Sequence, residues 1–263
     1  MTRNLLAIAM VLLGAAIASA ETQQPLRVLS YNIHHGEGMD RKIDLPRIAS
    51  VIKSVSPDFV MLQEVDRNVA RSGDVDQATE LGKLTEMHVV FGGNLKLGEG
   101  DYGNAILSRY PLSEVENRQL PNSDGGEPRG VLSASVTLPE THGGKTIRIL
   151  GTHLDHRPAE TDRLGSIDVI TDFVAQDERM VIIGGDFNAI PASAVMKKFR
   201  EQWKLAGSGE FPTVPVAEPT RQIDYVGYRS PAPIAIGEVR VLDEAVASDH
   251  RAILAALILS PQE

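Results

Sequence analysis

The sequence predicts one α/β domain, and the prediction rests on three observations. Apolar, β-branched runs of strand length recur along the chain and end in polar residues; amphipathic stretches of helical period stand between several of them; and no Pro/Ser-rich linker or charge block divides the 263 residues. That length is enough for one large domain with a sizeable core. No internal repeat or low-complexity segment interrupts it.

The first twenty residues stand apart. Arg3 gives a positive start, Leu5 to Ile17 is almost unbroken apolar sequence, and Ala18-Ser19-Ala20 has the small-x-small form of a cleavage site. These are the features of a secretory signal peptide, and the run is short for a bilayer span before the polar Glu21-Thr22-Gln23-Gln24. An exported mature chain is expected, periplasmic or secreted, with its domain over residues 25–260 and no transmembrane span.

Arg27 to Ile33 alternates as a strand, with Asn32 at its exit before the polar His34-His35-Gly36. Asp44 has the position of an N-cap, Pro46 falls in the first turn, and Leu45, Ile48, Val51, Ile52 and Val55 are spaced for one helix face. Phe59 to Asp66 is a second buried strand. Glu64 follows Val60 and Leu62 on one face, where a carboxylate needs either a cation or a salt bridge such as one to Arg67. A polar loop with Arg67 and Arg71 leads to a helix ending near Met87. His88–Phe91 and Ala105–Ser108 read as strands, and the glycine-rich stretch 98–104 as a bend that either turns the chain or aims Tyr102 and Asn104 at a ligand. Pro121 to Gly130 is a turn-rich loop carrying Arg129, followed by a strand over 131–138. After Gly143-Gly144 comes a strand over 146–156, in which His153 and Asp155 share a side and His156 opposes them. A helix over 158–174 with Leu164, Ile167 and Ile170 inward precedes Val181-Ile182-Ile183-Gly184-Gly185-Asp186-Phe187-Asn188. There a buried strand ends with Asp186 and Asn188 on one side, either a functional pair or an Asx turn. A helix over 192–204 that includes Trp203, a Pro/Gly-rich loop over 207–222, and strands over 222–226, 236–242 and 247–254 complete the chain.

The formal net charge is −9, and it becomes −10 without residues 1–20, whose only charged side chain is Arg3. An acidic chain with no lysine-arginine stripe is poorly suited to long duplex DNA, although a divalent cation can still mediate local phosphate contact. The absence of cysteine excludes disulfides, thiolate ligands and a thiol nucleophile, so a metal must sit on oxygen or imidazole. Asn32, Glu64, Asp186/Asn188, Asp224 and Asp249/His250 all stand at the ends of apolar strands. Strand ends on one sheet edge converge, and this oxygen-rich set suits a hard cation such as Mg²⁺ or Mn²⁺.

In order, Tyr31-Asn32-Ile33, Leu62-Gln63-Glu64-Val65, Tyr102-Gly103-Asn104-Ala105-Ile106-Leu107-Ser108, Gly151-Thr152-His153-Leu154, Gly184-Gly185-Asp186-Phe187-Asn188, Ile223-Asp224-Tyr225 and Ser248-Asp249-His250 resemble the motifs of the endonuclease/exonuclease/phosphatase family. The resemblance runs from about residue 27 to 258. It implies a two-sheet β-sandwich flanked by helices, a DNase I-like four-layer αββα fold, with the site at one edge between the sheets. It further implies that Glu64 ligates Mg²⁺ with Asn32 and Asp249 at or beside the metal, and that Asp186 orients or deprotonates the attacking water. The same resemblance implies that Asn188 and His153 contact phosphoryl oxygens and that His250, held by Asp224, stabilises the transition state.

Tyr102, Asn104, Arg129, His34 and His35 are candidates for gripping the substrate, with Arg67 and Arg71 nearby in loops. The expected activity is hydrolysis of a phosphodiester, on a small or lipid-derived molecule, by in-line attack of water. A secreted endonuclease and a non-catalytic binding module on the same fold are the alternatives. No protein partner is implied. The sequence lacks the exposed double-aromatic hairpin that secreted sphingomyelinases use on membranes, Trp203 being its sole tryptophan. Specificity is expected in the loops.

Overall fold

A computed structural model describes residues 24–123 and 125–259. The signal-peptide segment lies outside the described residues. In chain order the elements are β1 (Leu26–Asn32), α1 (Leu45–Ser54), β2 (Phe59–Arg67), α2 (Gln77–Thr85), β3 (His88–Leu97), β4 (Gly100–Ser108), β5 (Ser113–Gln119), β6 (Gly130–Thr137), β7 (Thr146–His153), α3 (Thr161–Phe173), β8 (Val181–Asp186), α4 (Ala194–Gln202), β9 (Lys204–Leu205), β10 (Asp224–Arg229), β11 (Ile234–Val241) and β12 (Ile253–Leu259). They form two six-stranded sheets, ordered β11-β12-β1-β2-β4-β3 and β5-β6-β7-β8-β10-β9.

The layers follow from which faces are apolar. Val28, Met61 and Ile106 of the first sheet pack against Leu132, Ile149 and Ile182 of the second. On the outer face of the first sheet, Leu29, Val60 and Leu62 meet Ile48 and Ile52 of α1 and Leu81 of α2. On the outer face of the second, Leu150, Ile183 and Tyr225 meet Ile167 and Ile170 of α3 and Val195 and Phe199 of α4. Central strands are therefore buried on both faces and read as continuous apolar runs, while each helix needs only one apolar stripe. Burying a side chain such as Ile52 contributes about 1.5–3 kcal/mol, so Ile52→Asp would detach α1. Asp44 caps α1 as expected, accepting from the Arg47 amide at 2.9 Å.

The topology also explains why the polar strand ends meet. β1 and β2 are parallel, as are β7 and β8, so Asn32, His153 and Asp186 leave their sheets at one rim. β10 runs antiparallel to β8 and enters at that rim, with Asp224 opposite Asp186. β12 is antiparallel to β1, and Ser248-Asp249-His250 lies just before it.

Several expectations are corrected. β4 begins at Gly100, so the bend is confined to the Gly98-Glu99 connection, and Tyr102 and Asn104 are strand residues. β7 ends at His153 rather than 156, and Trp203 follows α4 instead of lying in it, stacked on Phe199. The last strand begins at Ile253, which leaves the Asp249-His250 pair in a loop. β5 was not predicted: SEVENRQ is an exposed edge strand without apolar alternation.

Candidate active site

At the rim between the sheets lies a cleft of about 370 Å³. Glu64 enters it through an irregularity in β2. The β2–β4 register shifts between Leu62 and Val65, and Glu64 takes a φ of 58°. Val65 thus continues the buried face of Val60 and Leu62, and Glu64 lines the cleft instead of following them. Arg67 pairs with Asp101 at 2.5 Å, so the expected alternative partner for Glu64 is engaged elsewhere.

Asn32 joins the two sheets. Its Oδ1 accepts from the His34 amide at 3.0 Å, which turns Nδ2 toward Glu64 Oε1 at 3.0 Å and Asp186 Oδ2 at 3.2 Å. Asn32 therefore turns its oxygen away from the cleft and braces the Glu64 and Asp186 carboxylates. Ser248 Oγ donates to the Asn32 carbonyl at 2.7 Å and fixes the incoming loop. Asp249 is 3.4 Å from Ser248 Oγ, and its charge acts on His250.

Asp186 is fully enclosed. Its Oδ1 accepts from the Asn188 amide at 2.8 Å, so the strand does close in an Asx turn, with Asn188 at φ 47°. That turn nevertheless delivers both side chains to the cleft, which they line together. Burial and the nearby Asp224 push the Asp186 carboxyl up to about 7 against the opposing pull of His250. His250 Nε2 lies 3.7 Å from Asp186 Oδ2, and its Nδ1 donates to Asp224 Oδ2 at 2.9 Å. Burial lowers the His250 pKa, but Asp224 outweighs it, aided by Asp186 and Asp249, and carries the imidazolium up to about 10. Thr213 Oγ1 donates to the same Asp224 oxygen. Thr213 was missed by sequence reasoning because nothing marks one threonine within a long loop.

His153 is held neutral, well below its ordinary value, by burial and by Arg129. Arg129 can only donate, so at 3.1 Å His153 Nδ1 accepts and the ring proton sits on Nε2, 3.4 Å from Asp186 Oδ2. The Asn188 amide lies 3.1 Å from the same Nε2 and donates to the Leu154 carbonyl at 3.1 Å. Arg129 also pairs with Glu127 at 2.7 Å and approaches His156 Nδ1 at 3.3 Å. Because β7 ends early, His156 lines the cleft beside His153, while Asp155 is taken up by Arg157 and Arg163.

Of the remaining candidates, His34, His35 and Tyr102 line the cleft, whereas buried Asn104 donates to the Gly130 carbonyl at 3.0 Å and braces the Arg129 loop. Arg71 lines the cleft but is clamped by Asp66 at 2.8 and 2.9 Å. Leu95 and Leu97 add an apolar wall that sequence reasoning missed, since β3 was expected to stop at Phe91. The residues fit a divalent cation at Glu64: its carboxylate opens on the cleft and has no lysine or arginine within ion-pair distance among the described residues. Asp186, Asp224 and His250 also cluster, but the His250–Asp224 hydrogen bond commits that group to a proton.

Comparison with known proteins agrees with this geometry. Residues 29–250 match the model of the Endonuclease/Exonuclease/phosphatase family. YbhP, an uncharacterised protein of Escherichia coli K12, is 35% identical over 179 residues, covering 64% of this chain and 69% of its own. A 5'-tyrosyl-DNA phosphodiesterase of Caenorhabditis elegans is 28% identical over 206 residues, 74% of this chain and 52% of that protein. The crystal structure of an endonuclease/exonuclease/phosphatase from Beutenbergia cavernae superposes with a TM-score of 0.78 at 26% identity, covering 90% of this chain and 72% of that one. The chain belongs to the endonuclease/exonuclease/phosphatase family and is a phosphoric ester hydrolase.

Proposed function

We propose that the chain is exported and hydrolyses a phosphodiester of a small or lipid-derived molecule, using Mg²⁺ or Mn²⁺, by direct in-line attack of water. The observation that carries the reading is the convergence of Glu64, Asp186 and the His250–Asp224 pair on one cleft. A divalent cation at Glu64 supplies positive charge that offsets the phosphate anion and the developing charge on its oxygens. Asp186, with its carboxyl near 7, is placed to orient water and take its proton. His250 stays protonated and donates from Nε2 to a non-bridging oxygen, its other nitrogen held by Asp224. Neutral His153 offers an Nε2 proton to a second oxygen, and Arg129 holds that tautomer. No side chain is required as a covalent nucleophile.

Two features favour a compact substrate. The cleft is small and walled by Leu95 and Leu97, and the net charge of −9 disfavours long polyanions. One observation favours the endonuclease reading, the similarity to an enzyme named for a DNA-linked phosphodiester. The test is a screen of the mature chain with DNA, RNA, sphingomyelin, glycerophosphodiesters and inositol phosphates, with EDTA and with added Mg²⁺ or Mn²⁺. The expected result is turnover of a small phosphodiester that EDTA abolishes, and that falls by about 10³-fold or more in His250→Ala. Rapid cleavage of plasmid DNA would instead favour the nuclease, and an unchanged rate in His250→Ala would remove the mechanism.

A further inference from the structure

We infer that His34 and His35 are ligands, with Glu64, of a divalent transition cation of the Mn²⁺, Co²⁺ and Zn²⁺ class, in preference to Mg²⁺. The inference rests on reading Glu64 as the cation site and extends it, because the family resemblance supplies oxygen donors there and no imidazole. One nitrogen from each ring and one Glu64 oxygen lie within 4.8 Å of one another. A cation bonded at about 2.0–2.2 Å to nitrogen and carboxylate oxygen would draw such atoms together with side-chain adjustment alone.

The local backbone is shaped to bring the rings together. His34, His35 and Gly36 have φ values of 47°, 43° and 78°, a left-handed run that the two histidines would not adopt without support. Support comes from two side chains. Asn32 Oδ1 accepts from the His34 amide at 3.0 Å, and Gln77 Nε2 donates to the His35 carbonyl at 2.6 Å. The outcome is an edge-on ring pair with centroids 4.5 Å apart, next to a glutamate that is itself held in a left-handed conformation.

One hydrogen bond and one nearby carboxylate then decide between two uses of these rings. His34 Nδ1 faces the Glu37 carbonyl at 3.1 Å, and a carbonyl can only accept, so the proton is on Nδ1 and Nε2 carries a lone pair. His35 Nε2 faces the Glu37 carboxylate at 3.7 Å, while its Nδ1 is buried without a hydrogen-bond partner. Gripping a phosphate oxygen calls for an N–H directed at the substrate. A free lone pair on each ring, with the other nitrogen turned to an oxygen, is instead how histidine is held as a metal ligand. Two imidazoles and one carboxylate favour borderline transition cations, whereas Mg²⁺ favours an all-oxygen shell.

The experiment titrates Co²⁺ into the chelator-stripped mature chain and follows visible absorption, with calorimetry for Zn²⁺, Mn²⁺ and Mg²⁺. One saturating Co²⁺ per chain is expected, bound at least a hundredfold more tightly than Mg²⁺. His34→Gln and His35→Asn should each weaken Co²⁺ binding at least tenfold while leaving Mg²⁺ affinity within about twofold. Melting of the stripped variants checks the fold, and Cu²⁺ paramagnetic resonance, which counts bound nitrogens, should show two in the parent and one in each variant. Equal Co²⁺ affinity in parent and variants, or nitrogen couplings that vanish only in His153 or His250 variants, would overturn the assignment. A histidine-dependent Co²⁺ site in a protein without turnover of any phosphodiester removes the functional reading and keeps this one; Mg²⁺-supported turnover without such a site does the reverse.

Discussion

His250 owes its charge to the carboxylates around it, chiefly Asp224, and that dependence has a sign in pH. Its pKa rises from 6.5 to about 10 on folding, so its ionic stabilisation is fully present below 6.5 and is lost as pH climbs through about 10. His250→Gln should therefore cost metal-free protein about 1–3 kcal/mol at pH 6 and much less at pH 10.5, as read by chemical denaturation. Activity carries a second signature. With Asp186 losing its proton near 7 and His250 near 10 in the metal-free protein, and a bound cation lowering both, kcat/KM should rise at or below about 7 and fall at or below about 10, the two limbs belonging to the coupled set. A profile flat from pH 5 to 11 would count against these roles. Asp186 and Asn188 were legible in the sequence because they close an apolar strand, and Asp224 and His250 because their motifs resemble those of the family. Thr213 and the bracing role of Asn104 were not, since both depend on which loop the fold lays beside them.

Among the elements, α2 does more than cover a sheet. Buried Gln77 in its first turn accepts from the Asp66 amide at 3.0 Å and donates to the His35 carbonyl, so one side chain braces both the end of β2 and the histidine turn. Gln77→Ala strands two buried backbone groups. It should destabilise the protein by about 1–3 kcal/mol in thermal melts and weaken cation binding, although Gln77 itself touches no ligand. The strand runs of the two central layers were readable because burial on both faces writes β-branched stretches into the chain. β5 was not, being an exposed edge, and the Glu64 bulge was hidden because Leu-Gln-Glu-Val fits unbroken alternation as well as it fits a shift of register.

At the scale of the molecule, the acidic surface should keep long nucleic acid away. Retention on immobilised duplex DNA should be negligible near physiological salt, and turnover of a small substrate should change only a few-fold between about 50 and 200 mM salt. Strong retention released by salt would point to a polyanionic substrate.

The sandwich itself supplies a further constraint. A Cβ added at Gly184 would come within 2.7 Å of Met61 Cε and 3.3 Å of Ser30 Cβ on the opposite sheet, so the bare backbone of β8 lets the sheets close on each other. Glu64 and Asn32 belong to one of those sheets and Asp186 to the other, joined by a single amide nitrogen at 3.0 and 3.2 Å. The interior thus works as a caliper whose jaws are the two sheets and whose gap is read out at the rim. Gly184→Ala keeps every reacting residue, and Met61 Cε can swing aside, but the added methyl presses on Ser30 Cβ across the gap, so kcat should fall a few-fold with little change in KM, a catalytic defect produced by one methyl group buried in the core.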